Sequence, residues 1–105
     1  MAMIVQKFGG SSVATIEHIL SAAKVVAERR RAGDDVAVVL SAMGDATDRL
    51  MSLAWDITER PPARELDMLL SSGEQVSVSL LAMALKKLGL AARSYLGSQV
   101  TIHSD

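Results

Sequence analysis

Apolar and polar positions follow two different periods along this chain, and each change of period marks an element. "MIVQKF" (3–8) is short, rich in apolar and β-branched residues, and stopped by Gly9-Gly10, so it reads as a buried strand. The spacing then turns helical. Ile16, Ile19, Leu20, Ala23, Val26 and Ala27 recur at three- and four-residue steps, with Glu17, Lys24, Glu28 and Arg31 mostly on the other face. This predicts an amphipathic helix over 14–31, ended by Gly33. "DVAVVL" (35–40) is a second apolar strand, and strand–helix–strand at this spacing predicts parallel pairing through a right-handed crossover.

The second half is more helical. A helix over 47–58 places Leu50, Leu53, Ala54 and Ile57 on one side and is stopped by Pro61-Pro62. "ARELDMLLS" is again helical. Ser72-Gly73 reads as an interruption, and "EQVSVSLLAMALKKL" resumes the helix as far as Gly89. In that last stretch Val76, Leu80, Ala84 and Leu88 form one row and Val78, Leu81 and Leu85 another, so it needs packing on most sides. Trp55 and the methionines are expected in packing roles, and His18 and His103 at the surface or a strand end. "ARSYL" and "QVTIH" read as two short strands. The fold class is α/β with a parallel sheet. Its last strands have few upstream helices to cover them, so the chain is expected to open a longer protein and, alone, to self-associate or to present an open, poorly protected sheet edge.

Composition narrows the chemistry. The 105 residues are 50% apolar and 22% charged, which describes a globular chain with at most one core. Eleven basic and twelve acidic residues leave a net charge of -1, so no basic field draws the chain to nucleic acid or an anionic membrane, and a small-molecule partner is expected. Cysteine is absent, which excludes a disulfide framework, a thiolate metal site and a cysteine nucleophile. No secretory leader pattern is present, and no uninterrupted apolar run approaches the about 20 residues of a membrane span. A cytoplasmic location is the expectation.

Two loops carry candidate chemistry. In "VQKFGGSSV" (5–13) glycines would let backbone N–H groups approach an anion, a helix start would offer unpaired N–H groups, and Lys7 would add a full positive charge. The structural alternative is a tight turn with Ser11 or Ser12 as helix cap and Lys7 as a solvated side chain. The loop is not a P-loop, because its lysine precedes the glycines. "SAMGDATDRL" (41–50) follows the second strand in the same way, and ligands collect at the carboxyl ends of parallel strands. For Ser41, Thr47 and Asp48 helix capping is the alternative. In "SSGE" (71–74) Glu74 falls at the start of the resumed helix, where the helix dipole alone would favour a carboxylate.

Taken in order, "KFGGSSV", "VVLSAMGDATDRL", "ELDMLLSSGEQVSVSLLAMAL" and "ARSYLGSQVTI" resemble the opening of the aspartate kinases, within the amino-acid kinase family, over essentially the whole chain. The closing "GSQVTIHSD" differs from the usual "GxQAGI-T-D" by Val100-Thr101 in place of Ala-Gly and by His103, which sets its last loop apart. Acetylglutamate kinase and glutamate 5-kinase share a lysine–glycine opening; S-A-M-G and S-G-E point to aspartate as acceptor.

The resemblance implies a parallel-sheet αβα sandwich of which residues 1–105 are the N-terminal part of the catalytic domain. The remaining half, with an adenine pocket and an aspartate-binding arginine, and regulatory ACT domains would follow. It also implies ATP-dependent phosphorylation of the side-chain carboxylate of L-aspartate, with Mg²⁺ held mainly through the phosphates and no dedicated metal site. Lys7, Phe8, Gly9, Gly10, Ser11 and Ser41 would bind ATP, Lys7 being catalytic, while Thr47 and Glu74 would bind the substrate. A homo-oligomer is expected for the full-length protein, and no activity for the 105 residues alone, since half of the site would be absent. The competing class is a non-catalytic assembly or regulatory module on the same fold.

Overall fold

A computed structural model describes residues 3–95 and 99–102. Strand β1 (Met3–Phe8) leads through a single 3₁₀ turn (Gly10–Val13) into helix α1 (Ile16–Arg31), strand β2 (Asp35–Leu40), helices α2 (Ala46–Ile57) and α3 (Ala63–Lys87), and strands β3 (Ala92–Tyr95) and β4 (Gln99–Ile102). The four strands form one sheet in the order β1-β2-β4-β3. β1 and β2 are parallel, from Met3 opposite Asp35 to Phe8 opposite Leu40.

The other half of the sheet departs from the parallel expectation. β4 runs antiparallel to both β2 and β3. Only residues 96–98 separate β3 from β4, and a parallel neighbour needs a crossover of about a dozen residues or more. Residues 100 and 101 lie inside β4, so the Val100-Thr101 departure falls in a strand and not in a loop; Val100 packs in the core beside Val38. His103, the end of the expected "QVTIH" strand, is outside the described residues.

The register explains how the sheet is covered. Val36 aligns with Ile102 and Val38 with Val100, and these side chains meet Ile19, Ala22, Ala23 and Val26 of α1 and Val78, Leu81 and Leu85 of α3 in one core. Alternation turns Met3, Val5, Lys7, Ala37, Val39, Arg93 and Tyr95 to the opposite face. No helix covers that face among the described residues, and Met3 and Val5 are 62% and 66% exposed. Among the described residues one helical layer covers one face of the sheet, and β1 and β3 lie at its two edges.

α3 is one continuous helix of 25 residues, not two. Its length and apolar content suit a membrane span, but Gly73, Ser77, Val78, Leu81, Ala82, Ala84 and Leu85 are buried within the domain. The buried row steps by four through Gly73, Ser77, Leu81 and Leu85; of the expected first row, Val76 is exposed and Leu80 only half-buried. α2 packs on α3 and buries no residue fully, and Trp55 is 58% exposed rather than packed.

Candidate functional site

Because β1 and β2 are parallel, both chains leave the sheet at the same edge. The ladder extends one bond past β2, from the Ser41 N–H to the Phe8 carbonyl at 3.1 Å, which sets Ser41 beside the glycine loop. Gly9 is extended (φ -80°, ψ 176°), and the 3₁₀ turn closes with the Ser12 N–H donating to the Gly9 carbonyl at 3.1 Å. Val13, fully buried, anchors the turn in the core. The first bond of the turn uses the Ser12 N–H, so the Gly10 and Ser11 amides precede it.

The expected helix start directly after the glycines does not occur. α1 begins at Ile16, and Thr15, not Ser11 or Ser12, is its N-cap, accepting from the His18 N–H at 3.2 Å. Ser11 and Ser12 are exposed. Thr47 is likewise relieved of capping, because α2 opens at Ala46 and its preceding residue, Asp45, makes no side-chain cap bond. Asp45 instead pairs with Arg49 at 3.4 Å. Glu74 is not at a helix start either; it lies half-buried in the middle of α3, so the helix dipole gives no structural reason for a carboxylate there. The structural alternatives for Ser11, Thr47 and Glu74 thus fail one by one.

The two loops are locked together. Gly44, whose φ of 51° suits glycine, donates its N–H to the Gly10 carbonyl at 3.0 Å. A Cβ on Gly10 would lie 3.1 Å from the Gly44 carbonyl oxygen and 3.2 Å from that of Ala42, whereas one on Gly9 would meet nothing within 4 Å. The glycine pair therefore divides its work: Gly10 permits loop–loop contact, and Gly9 faces open space. Gly10→Ala is expected to cost about 1 to 3 kcal/mol of stability. Gly9→Ala should leave stability unchanged or raise it by about 0.4 to 1 kcal/mol. Urea unfolding of the two variants checks this, and equal losses would contradict the division.

α3 joins the same edge at Gly73, which meets Ala42 and Leu50. Lys7, Phe8, Gly9, Gly10, Ser11, Ser41, Thr47 and Glu74 thus lie on three segments that converge there. Lys7 is exposed, in register with Val39 on the uncovered face, and Phe8 points to the core side. A cleft of about 350 Å³ opens between α2 and α3, lined by Met43, Ala46, Arg49, Leu50, Ser72, Gly73 and Val76. It borders Thr47 and Glu74 in sequence but not Lys7. Gly73 is the residue whose part the sequence reading missed; the signal was the row of four-residue steps running through it without a break. Among the described residues no group of three or more His, Asp or Glu is placed to hold a metal ion.

The pattern of the amino acid kinase family matches residues 2–105. The chain is 56% identical to an aspartate kinase of Pseudomonas putida over 105 residues, all of this chain and 26% of that protein. It is 53% identical to an aspartokinase of Mycolicibacterium smegmatis over 102 residues, 97% of this chain and 24% of that one. A crystal structure of aspartate kinase from Synechocystis superposes with a TM-score of 0.86 at 48% identity, covering 89% of this chain and 16% of the other. The chain spans about a quarter of the length of these curated relatives.

Proposed function

The chain belongs to the amino acid kinase family, and we propose that the protein containing it is an aspartate kinase, transferring the γ-phosphoryl group of MgATP to the side-chain carboxylate of L-aspartate. The single observation that supports this reading is the packing of three segments at one sheet edge, where the glycine turn after β1 and α3 at Gly73 both close on the loop after β2; Lys7, Thr47 and Glu74 belong to these segments, and Thr47 and Glu74 have no capping work to do. The Pseudomonas putida and Mycolicibacterium smegmatis relatives, named an aspartate kinase and an aspartokinase, support the choice of acceptor.

On this reading an aspartate carboxylate oxygen forms the new bond to the γ-phosphorus as the bond to the ADP oxygen breaks. The carboxylate is ionised at neutral pH, so no base is needed. Positioning and charge neutralisation supply the catalysis. Lys7 neutralises charge on the transferring group. The turn from Phe8 to Ser11, with the amides of Gly10 and Ser11, receives the ATP phosphates, and Ser41 lines that side of the pocket. Thr47 holds the substrate's backbone carboxylate and Glu74 its ammonium group. Mg²⁺ would enter with the nucleotide, held mainly through the phosphates and water.

We also propose that residues 1–105 are the N-terminal part of the catalytic domain. The remainder would complete the nucleotide pocket, and regulatory ACT domains would follow. The 105 residues alone would be inactive. The full-length protein would be a cytoplasmic homo-oligomer serving lysine, threonine and methionine biosynthesis. The test is an acyl-phosphate trapping assay of the full-length protein with MgATP and L-aspartate, glutamate or N-acetylglutamate in parallel. Aspartyl hydroxamate is the expected product; turnover of another acceptor in preference, or of none, would remove the assignment.

A further inference from the structure

Residue 73 is where α3 meets the loop after β2. A Cβ built on Gly73 would stand 3.0 Å from the Ala42 Cβ and 3.2 Å from the Leu50 Cδ1, closer than the about 3.5 to 4.0 Å at which carbon atoms rest. The backbone of Gly73 is ordinary α-helix, where glycine is disfavoured relative to alanine, so its conformation does not require glycine. The contact does.

The two opposing atoms differ in what they can yield. Leu50 Cδ1 ends a rotatable side chain and can turn aside. Ala42 Cβ is fixed to a loop braced from behind, since the Ala42 and Gly44 carbonyls already crowd Gly10 and Gly44 is hydrogen-bonded to it. The 42–44 loop is held between two glycines, Gly10 on one side and Gly73 on the other. A methyl at position 73 must therefore push α3 outward, and Glu74 is the next residue along it.

We propose that Gly73 is a positioning residue for the acceptor half of the site. By having no side chain it seats α3 against Ala42, and so sets the separation between Glu74 on α3 and Thr47 on α2. The proposal rests on the functional reading above and adds to it a residue that touches neither substrate. Lys7 to Ser11 lie on the other side of the braced loop, so the nucleotide side should be spared.

A displacement of about 1 Å can cost about 10²-fold in a reaction that depends on positioning, and the misfit here is about half that. In the full-length protein Gly73→Ala should raise the KM for aspartate about tenfold, with the KM for ATP within about twofold of wild type. Adding Ala42→Gly removes the opposing methyl, and the double variant should return close to the aspartate KM of Ala42→Gly alone. A merely structural role predicts a lowered unfolding temperature, itself relieved by Ala42→Gly, with the aspartate KM of the folded protein left at its wild-type value. A folded Gly73→Ala with wild-type aspartate KM, or a defect that Ala42→Gly does not relieve, would overturn the proposal. Should Gly73→Ala not fold, Ala42→Val imposes the same push from the other side, and a wild-type aspartate KM in that variant overturns it equally. Wild-type protein that phosphorylates no aspartate removes the functional reading instead; active wild type with an unaffected Gly73→Ala removes only this inference.

Discussion

Lys7→Ala in the full-length protein is expected to lower turnover roughly 10²- to 10³-fold, about 2.7 to 4 kcal/mol of transition-state stabilisation, with folding little changed. Lys7 is the penultimate residue of an edge strand and exposed on the uncovered sheet face. None of the ion pairs among the described residues includes it. A substitution at such a position ordinarily changes stability by about 0.5 kcal/mol or less. The two readings of the opening loop therefore separate cleanly. As a solvated side chain Lys7 is dispensable; as the charge facing a transferring phosphoryl group it is not. Lys7→Arg keeps the charge but exchanges a compact ammonium for a planar fork, and should recover only part of the rate. Steady-state turnover measured beside urea unfolding decides the matter, and a Lys7→Ala protein with wild-type turnover would remove Lys7 from the mechanism.

Gly9→Ala refines the same loop. A Cβ there meets no neighbour, so stability has no reason to fall. A raised KM for ATP in a fully stable Gly9→Ala protein would show that the open space beside Gly9 is where the phosphates approach.

What was legible in the sequence was what local pattern determines. β1 and β2 occupy the expected residues because short apolar runs bounded by glycine and acidic residues leave little choice. α1 starts two residues later than its apolar spacing suggests, because Thr15 supplies the cap and the 3₁₀ turn intervenes. The parallel expectation missed the reversal of β4; the short link between β3 and β4 accounts for their antiparallel pairing, since a parallel neighbour needs a longer crossover, while the pairing of β4 with β2 is a contact distant in sequence. The continuity of α3 was not readable from propensity. A glycine costs a helix about 1 kcal/mol relative to alanine, and a serine beside it suggests a stop. Burial of Leu81 and Leu85 on the same row, and the seating of Gly73 on Ala42, offset that cost through contacts distant in sequence. The site divides in the same way. Lys7, the glycines and Ser41 are positioned by the first strand–helix–strand unit, whereas the approach of Glu74 depends on a helix crossing from the other half of the chain.

That approach makes Glu74 the sharper test of the acceptor. On the proposed reading, Glu74→Ala is expected to weaken aspartate binding by about 2 to 5 kcal/mol while leaving the KM for ATP nearly unchanged, because it would leave the substrate ammonium without its counter-charge in a partly desolvated pocket. The position suits the experiment. Glu74 lies mid-helix, where alanine is the most favourable residue, so the substitution should preserve α3. It takes part in none of the ion pairs among the described residues, and a loss of binding therefore cannot be traced to one of them. Glu74→Gln separates charge from shape: a glutamine can still accept a hydrogen bond from an ammonium group, so it should recover part of the loss but not the charge-assisted share. Steady-state kinetics with each substrate varied in turn checks the assignment. A defect confined to ATP would move Glu74 to the nucleotide side, and wild-type aspartate KM in Glu74→Ala would leave the acceptor's ammonium group to be held by residues elsewhere.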